Sequence, residues 1–300
     1  MPETPQWVYP LGSANDGDWQ VSLGASDSAA RVPGWAHTGI KVAALAPGSS
    51  VSLAAEAEER LVIPLEGAFS VTIDGTTYEL RGRRSVFAGP ADVLYSGIRT
   101  SLTISSEDGG RVAIALAPAS AGYPVRLIRA EETPVELRGS GACSRQVHNF
   151  GTPGTLEADR FIVCEVITPA GNWSSYPPHK HDEEKDGETS LEEIYYFETQ
   201  TAAGAPDSGT ADPVGFARVY ASDERPIDVS TEVRSGDVVL VPYGWHGPAM
   251  AVPGYDLYYL NVMAGPGRVR EWLISDDPHH GWIRQTWDTE PMDPRLPFTS

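Results

Sequence analysis

The sequence predicts an all-β protein built as two similar barrels, with few and short helices. Three observations point there. Thirty glycines and 25 prolines are scattered singly through 300 residues, the punctuation of many short strands joined by tight turns. The apolar stretches between them are short and rich in β-branched and aromatic residues, as pleated surfaces favour, and none sustains a 3.6-residue period. The halves also echo each other: Leu65-Glu66-Gly67, Phe69–Gly75 and Gly82–Pro90 come in the same order as Glu193–Phe197 and Gly236–Pro242.

Taken in order, the predicted strands begin with Arg60–Leu65 and Phe69–Ile73. Asp74-Gly75 then closes a hairpin onto Thr76–Leu80, since Asp-Gly between two alternating runs is a strong hairpin signal. Pro118–Gly122 breaks the pattern, so a boundary is expected between Ala119 and Glu136, giving a first barrel over 1–125 and a second over 126–300. The second barrel would use Phe161–Val166, Glu193–Phe197, Phe216–Tyr220, Asp237–Val241 and Tyr255–Met263. Thr199–Pro213, rich in Ala, Gly, Asp and Pro, reads as a surface insertion between two strands, and Arg268–Ile274 is the one modest helical candidate.

An apolar fraction of 41% supports a buried core. No run approaches the length of a membrane span, and the N-terminal residues show neither a basic start nor an apolar stretch before a cleavage site. The expectation is a soluble, cytoplasmic protein, consistent with only two cysteines, Cys143 and Cys164, far apart. A net charge of −19, with no basic cluster longer than Arg81–Arg84, argues against nucleic acid and anionic membranes as partners.

The chemistry concentrates in the second half. In Pro177–Phe197, His179 and His181 lie two apart, and an extended segment places both imidazoles on one face; Pro177-Pro178 opposes a helix there. Glu192 and Glu193 then open an aromatic run, and strand alternation sends one of them inward and the other outward. His246 follows the turn Pro242-Tyr243-Gly244 after an apolar strand. Two histidines of one strand, a glutamate of another and a histidine of a third can converge inside a small barrel, a donor set for a borderline divalent cation with positions left open. In the first half no such set exists at the corresponding places: Leu53–Arg60 precedes Leu65-Glu66-Gly67, and Tyr95 stands where a late histidine would fall. That barrel is expected to serve packing, dimer contacts or closure of one side of the pocket.

His179-x-His181, Glu193 and Gly236-x5-Pro242-x-Gly244-x-His246 resemble the two cupin motifs, departing in a longer His-to-Glu gap and one residue fewer before the last histidine. The fuller strings Gly171–Asp182, Leu191–Tyr196 and Tyr255–Pro266 resemble the 5-deoxy-glucuronate isomerase family of myo-inositol catabolism, and the likeness extends weakly through Gly82–Phe87. The resemblance implies a bicupin fold, two jelly-roll-like barrels, and an aldose–ketose isomerase that converts 5-deoxy-D-glucuronate to 5-dehydro-2-deoxy-D-gluconate. Alternation and the cupin-like order Glu193-Ile194-Tyr195-Tyr196 together select Glu193 over Glu192, and the donor chemistry of His179, His181, Glu193 and His246 suits a divalent metal, Zn²⁺ first, with Mn²⁺, Fe²⁺ or Ni²⁺ as alternatives. Other enzymatic readings are a 4-deoxy-5-hexosulose-uronate ketol-isomerase and a metal-dependent cupin dioxygenase.

Candidates for the general base are Glu165, Tyr195, Tyr258 and Tyr259, which strands of the barrel wall could aim inward. Candidates for the carboxylate of a small sugar-acid substrate are Arg145, Arg218 and Arg270, with Lys180 a weaker one because it alternates away from its histidine neighbours. His148 could approach the pocket or sit hydrogen-bonded in the core. His279 and His280 read as a capped surface turn, His37 as structural and Cys164 as inert core. A homo-oligomer is compatible with all of this.

Overall fold

The computed structural model describes residues 6–24, 32, 34–206, 209–222 and 225–298, and arranges them in three β-sheets. The predicted hairpin forms: Asp74 and Gly75 both adopt positive φ, 46° and 87°, joining Glu58–Ile73 to Thr76–Arg83 with Ile73 opposite Thr76. Arg60–Leu65 and Phe69–Ile73 are not separate strands. They form one 16-residue strand, Glu58–Ile73, whose pairing shifts between Pro64 and Glu66 and again between Gly67 and Phe69. Pro64 has no N–H to give the ladder, and such bulges bend a strand. One end therefore pairs with Val93–Ser96 and Gly110–Pro118, and the other with Thr76–Arg83 and Leu102–Ser105, which closes the first barrel.

The second barrel has two sheets. Seven strands run in the order Val8–Tyr9, Val238–Val241, Glu192–Thr201, Tyr255–Ala264, Ile162–Thr168, Arg145–Gly151 and Val135–Arg138. Opposite them lie Arg225–Val233, Gly215–Ser222, Trp245–Ala251, His179–Lys180 and Ser275–Asp276, with Trp173–Ser174 beside Trp245–Ala251. Two short strands cross the 125/126 line: Val8–Tyr9 joins the second barrel, and Arg126–Ile128 pairs with Val93–Ser96 of the first.

Alternation along the seven-stranded sheet divides the core. Tyr195, Phe197, Cys164, Val166, Tyr259 and Met263 face the interior of the second barrel. Ile194, Tyr196, Val163, Ile167, Tyr258 and Leu260 face outward, but against the first barrel's Leu61, Ile63 and Leu65. Hydrophobic burial thus covers both faces of that sheet, and strands buried on both faces read as continuous apolar runs. Two carboxylates bind across this junction: Glu59 accepts the backbone N–H groups of Asp159, Arg160 and Phe161 at 2.7–2.8 Å, and Glu192 accepts those of Ala36, His37 and Thr38 at 2.7–3.3 Å. If the two are treated as equivalents, the next residue inward is Glu193 in one barrel and the buried Arg60 in the other.

Arg268–Ile274 is not helical. The Arg270 guanidinium reaches the backbone carbonyls of Phe161, Leu156 and Gly151 and ties this non-helical segment to the 151–161 stretch of the same barrel. Among the described residues, helical turns occur as four 3₁₀ segments, the longest Gly281–Asp288. The insertion is shorter than expected: Thr199–Thr201 still belong to a strand, and Thr199 Oγ1 donates to the Pro213 carbonyl at 3.1 Å; residues 207 and 208 lie outside the described residues. No helix among the described residues is long and apolar enough to cross a membrane.

Candidate metal centre

His179 and His246 lie on neighbouring strands as direct cross-strand partners, and His181 follows two residues on. Their rings converge, with centroids 4.4 Å apart for His179 and His246 and 4.7 Å for His181 and His246. The backbone fixes this. Gly247 sits at φ 95°, and a Cβ there would stand 1.8 Å from the Ser175 carbonyl oxygen, so glycine alone lets the strand carrying His246 approach so closely. Glu193 comes inward from the Glu192–Thr201 strand and is wholly buried.

Each imidazole is oriented by its own backbone. Nδ1–H of His179 donates to the Pro177 carbonyl, that of His181 to Leu191 and that of His246 to Gly244, at 3.3–3.4 Å. A neutral imidazole that donates from Nδ1 presents a bare lone pair at Nε2. These lone pairs face a carboxylate oxygen: Glu193 Oε2 lies 3.1 Å from His181 Nε2 and 3.0 Å from His246 Nε2. Glu193 Oε1 and His246 Nε2 are buried without a hydrogen-bond partner among the described residues. Acceptor against acceptor in a buried site calls for a cation between them. A proton satisfies one such pair: burial lowers the His181 pKa, but the hydrogen bond and charge of Glu193, with the backbone, outweigh it and leave the pKa raised. It cannot satisfy three imidazoles, and burial beside two others pushes the His179 pKa well down. Ligand atoms of His179, His181 and His246 all lie within 4.8 Å of one another; with Glu193 they fit a divalent ion.

A cavity of about 220 Å³ adjoins His179, lined also by Arg138, Arg145, Ser175, Tyr259, Asn261, Arg284 and the apolar Val147, Val166, Trp272 and Ile274. Among the described residues, every residue lining it lies in the second barrel, and the first barrel contributes none. The acidic loop after His181 turns away: Lys180 Nζ binds Asp182, Glu183 and Glu188 at 2.7–2.9 Å and stands 5.7 Å above the Trp245 ring.

Of the base candidates, only Tyr259 lines the cavity. Tyr195 is inside the barrel with its hydroxyl 2.8 Å from that of Ser175. Glu165 and Tyr258 must be corrected: they lie on the outward face, where Tyr258 donates to Glu165 at 2.8 Å and Arg83 of the first barrel grips both carboxylate oxygens at 2.7 and 2.8 Å. His148 joins that network, donating from Nδ1 to Glu165 at 2.6 Å and accepting at Nε2 from Gln146. Of the cations considered from the sequence, Arg145, Arg218, Arg270 and Lys180, only Arg145 reaches the cavity. Arg270 is spent on carbonyls, Lys180 on carboxylates, and Arg218 projects outward over the Tyr220 ring at 4.3 Å. His279 and His280 form the expected turn, with the His279 N–H on Asp277 Oδ1 at 2.8 Å. Arg138 and Arg284 were missed. A signal existed for the first: Arg138 and Arg145 flank the glycine-containing turn 139–144, and a hairpin there sets them opposite each other, as it does.

The family model of the KduI/IolB family matches residues 8–283. The chain belongs to the KduI/IolB family. Among KduI/IolB relatives, it is 40% identical to the 5-deoxy-glucuronate isomerase of Geobacillus kaustophilus over 84% of this chain and 88% of that one. To that of Bacillus subtilis strain 168 it is likewise 40% identical, over 81% and 86%. An IolB-like protein of Salmonella typhimurium LT2 superposes with a TM-score of 0.80 at 34% identity, covering 92% of this chain and 98% of the other. The oxalate decarboxylase of Lactobacillus farciminis superposes at 0.61 with 11% identity over 97% and 98%, a likeness of fold alone, and it bears out the bicupin architecture.

Proposed function

We propose that the protein is a 5-deoxy-glucuronate isomerase, catalysing the aldose–ketose conversion of 5-deoxy-D-glucuronate to 5-dehydro-2-deoxy-D-gluconate in the cytoplasm, at a divalent metal held by His179, His181, Glu193 and His246. The observation that carries the metal is the opposition of bare imidazole nitrogens to a buried carboxylate at 3.0–3.1 Å beside a cavity. The observation that carries the substrate is 40% identity to relatives of that name over more than four-fifths of the chain. Three imidazoles and one carboxylate favour Zn²⁺, and also suit Mn²⁺, Fe²⁺ or Ni²⁺.

An ion held by His179, His181, Glu193 and His246 would supply Lewis-acid stabilisation for the negative charge that develops on substrate oxygens when a proton leaves the carbon beside the carbonyl. The chain supplies the rest. Pro177, Leu191 and Gly244 carbonyls fix the imidazole tautomers, as partners of metal-ligating histidines do. Val147, Val166, Trp272 and Ile274 keep the cavity apolar on one side, which strengthens every charge interaction within it. Burial pushes the Tyr259 hydroxyl up to about 12, so at neutral pH it donates a hydrogen bond to a substrate oxygen and does not abstract a proton. Asn261 Oδ1 and Trp272 Nε1 are buried without protein partners among the described residues, available to a polyhydroxylated ligand. Free Cys143 and Cys164 support the cytoplasmic placement.

NMR of the purified protein with 5-deoxy-glucuronate and, separately, 4-deoxy-5-hexosulose-uronate, without oxygen, tests the reading. The first is expected to convert and the second not; preference for the second, or turnover that requires oxygen, overturns it.

A further inference from the structure

Three guanidinium groups line the cavity, and they are not equivalent. Arg138 donates to both carboxylate oxygens of Glu136 at 2.8 Å. Arg284 makes the corresponding pair with Asp276, at 2.5 and 2.6 Å. Each is therefore neutralised within the protein. Arg145 is not: it is 5% exposed, yet no carboxylate pairs with it among the described residues. Its Nη1 donates to the carbonyls of Cys143 and Tyr176 at 2.9 and 3.3 Å, and among the described residues its Nε and Nη2 have no hydrogen-bond acceptor. Its guanidinium carbon stands 5.1 Å from the centre of the Trp287 ring, which stiffens it.

Two further facts sharpen the contrast. Arg145 and Arg138 are directly opposite in the antiparallel ladder, where like charges destabilise. Burial lowers the Arg145 pKa to about 10, which leaves it charged at neutral pH. A buried cation beside another cation, with a fork of free donors, is a configuration that an incoming carboxylate relieves.

Resting on the isomerase reading above, we propose that Arg145 receives the carboxylate of the uronate and makes the enzyme selective for sugar acids over the corresponding neutral sugars. Arg138 and Arg284 shape and polarise the cavity while staying bound to Glu136 and Asp276. Arg145 is a binding and specificity residue; His179, His181, Glu193 and His246 would hold the ion that assists the chemistry, and removal of Arg145 leaves those four side chains in place.

The test uses the metal-loaded protein, 5-deoxy-D-glucuronate and its neutral analogue 5-deoxy-D-glucose. Arg145→Met is expected to keep wild-type metal content, to lower kcat/KM for the uronate by about 100-fold or more, mainly through KM, and to leave the rate with the neutral sugar within about threefold. Arg145→Lys, which keeps the charge without the fork, is expected to keep the preference for the acid with KM raised about tenfold. If Arg145→Met does not fold, Arg145→Lys decides alone: an unchanged KM overturns the proposal. So does an Arg145→Met enzyme that retains the wild-type preference for the acid, or that loses both substrates equally. Failure of the wild type to convert the uronate would instead overturn the isomerase reading, and this assignment with it.

Discussion

Glu192 and Glu193 are adjacent and chemically identical, and the strand sends them to opposite tasks. Glu193 faces three imidazoles inside the barrel, while Glu192 accepts backbone N–H groups of residues 36–38 from the other barrel. Glu193→Gln keeps the shape and removes the charge that a metal requires. Its metal retention and turnover should each fall on the order of 100-fold, measured by elemental analysis after dialysis and by NMR assay. Glu192→Gln should keep metal and turnover and lower stability by about 1–2 kcal/mol in urea unfolding. The convergence of His179, His181, Glu193 and His246, the proposed ligands, was legible because His-x-His, a glutamate at a strand head and a histidine after Pro-x-Gly are local signals. The cation and base candidates were not, because the sequence does not show what a side chain has already bound: Arg270 and Lys180 are consumed by partners 109–119 and 2–8 residues away.

At the scale of elements, the Ile162–Thr168 strand has two buried faces, and its one carboxylate, Glu165, points to the junction. Alternation puts Cys164 and Val166 inward and therefore Glu165 outward, a deduction the sequence permitted but only with the face of the sheet known. Burial opposes the Glu165 charge, but Arg83 and His148 more than offset it and hold the pKa down to about 2, against an ordinary 4.5. A carboxylate depressed on folding stabilises above its unfolded pKa and loses that contribution as pH falls through the folded value. Wild-type stability should therefore drop between pH 4.5 and 2 more steeply than that of Arg83→Met/Glu165→Leu, followed by urea unfolding at each pH. At neutral pH Arg83→Met alone should cost roughly 3–5 kcal/mol, since it strands a buried charge, and the double variant less. Gly247→Ala should lose bound metal as well as stability, because the displaced strand carries His246.

Across the whole molecule, the architecture of two barrels was readable from turn chemistry and the repeated order of elements. Their mutual dependence was not. Pairing between Val8–Tyr9 and Val238–Val241, the exchange of Glu59 and Glu192, and a shared apolar layer all join residues far apart in the chain. A fragment of residues 126–300 leaves Ile194, Tyr196, Tyr258 and Leu260 uncovered, and is expected to aggregate more readily than the intact chain. A monodisperse, metal-binding fragment would show the barrels to be independent. The central claim, that turnover needs an ion at His179, His181, Glu193 and His246, is tested most directly by measuring metal content and 5-deoxy-glucuronate conversion together, before chelation, after it and after adding the ion back. The account predicts about one divalent ion per chain, with activity lost and regained in proportion to it, and neither property in His246→Ala. Full turnover by the chelated, metal-free protein would contradict it.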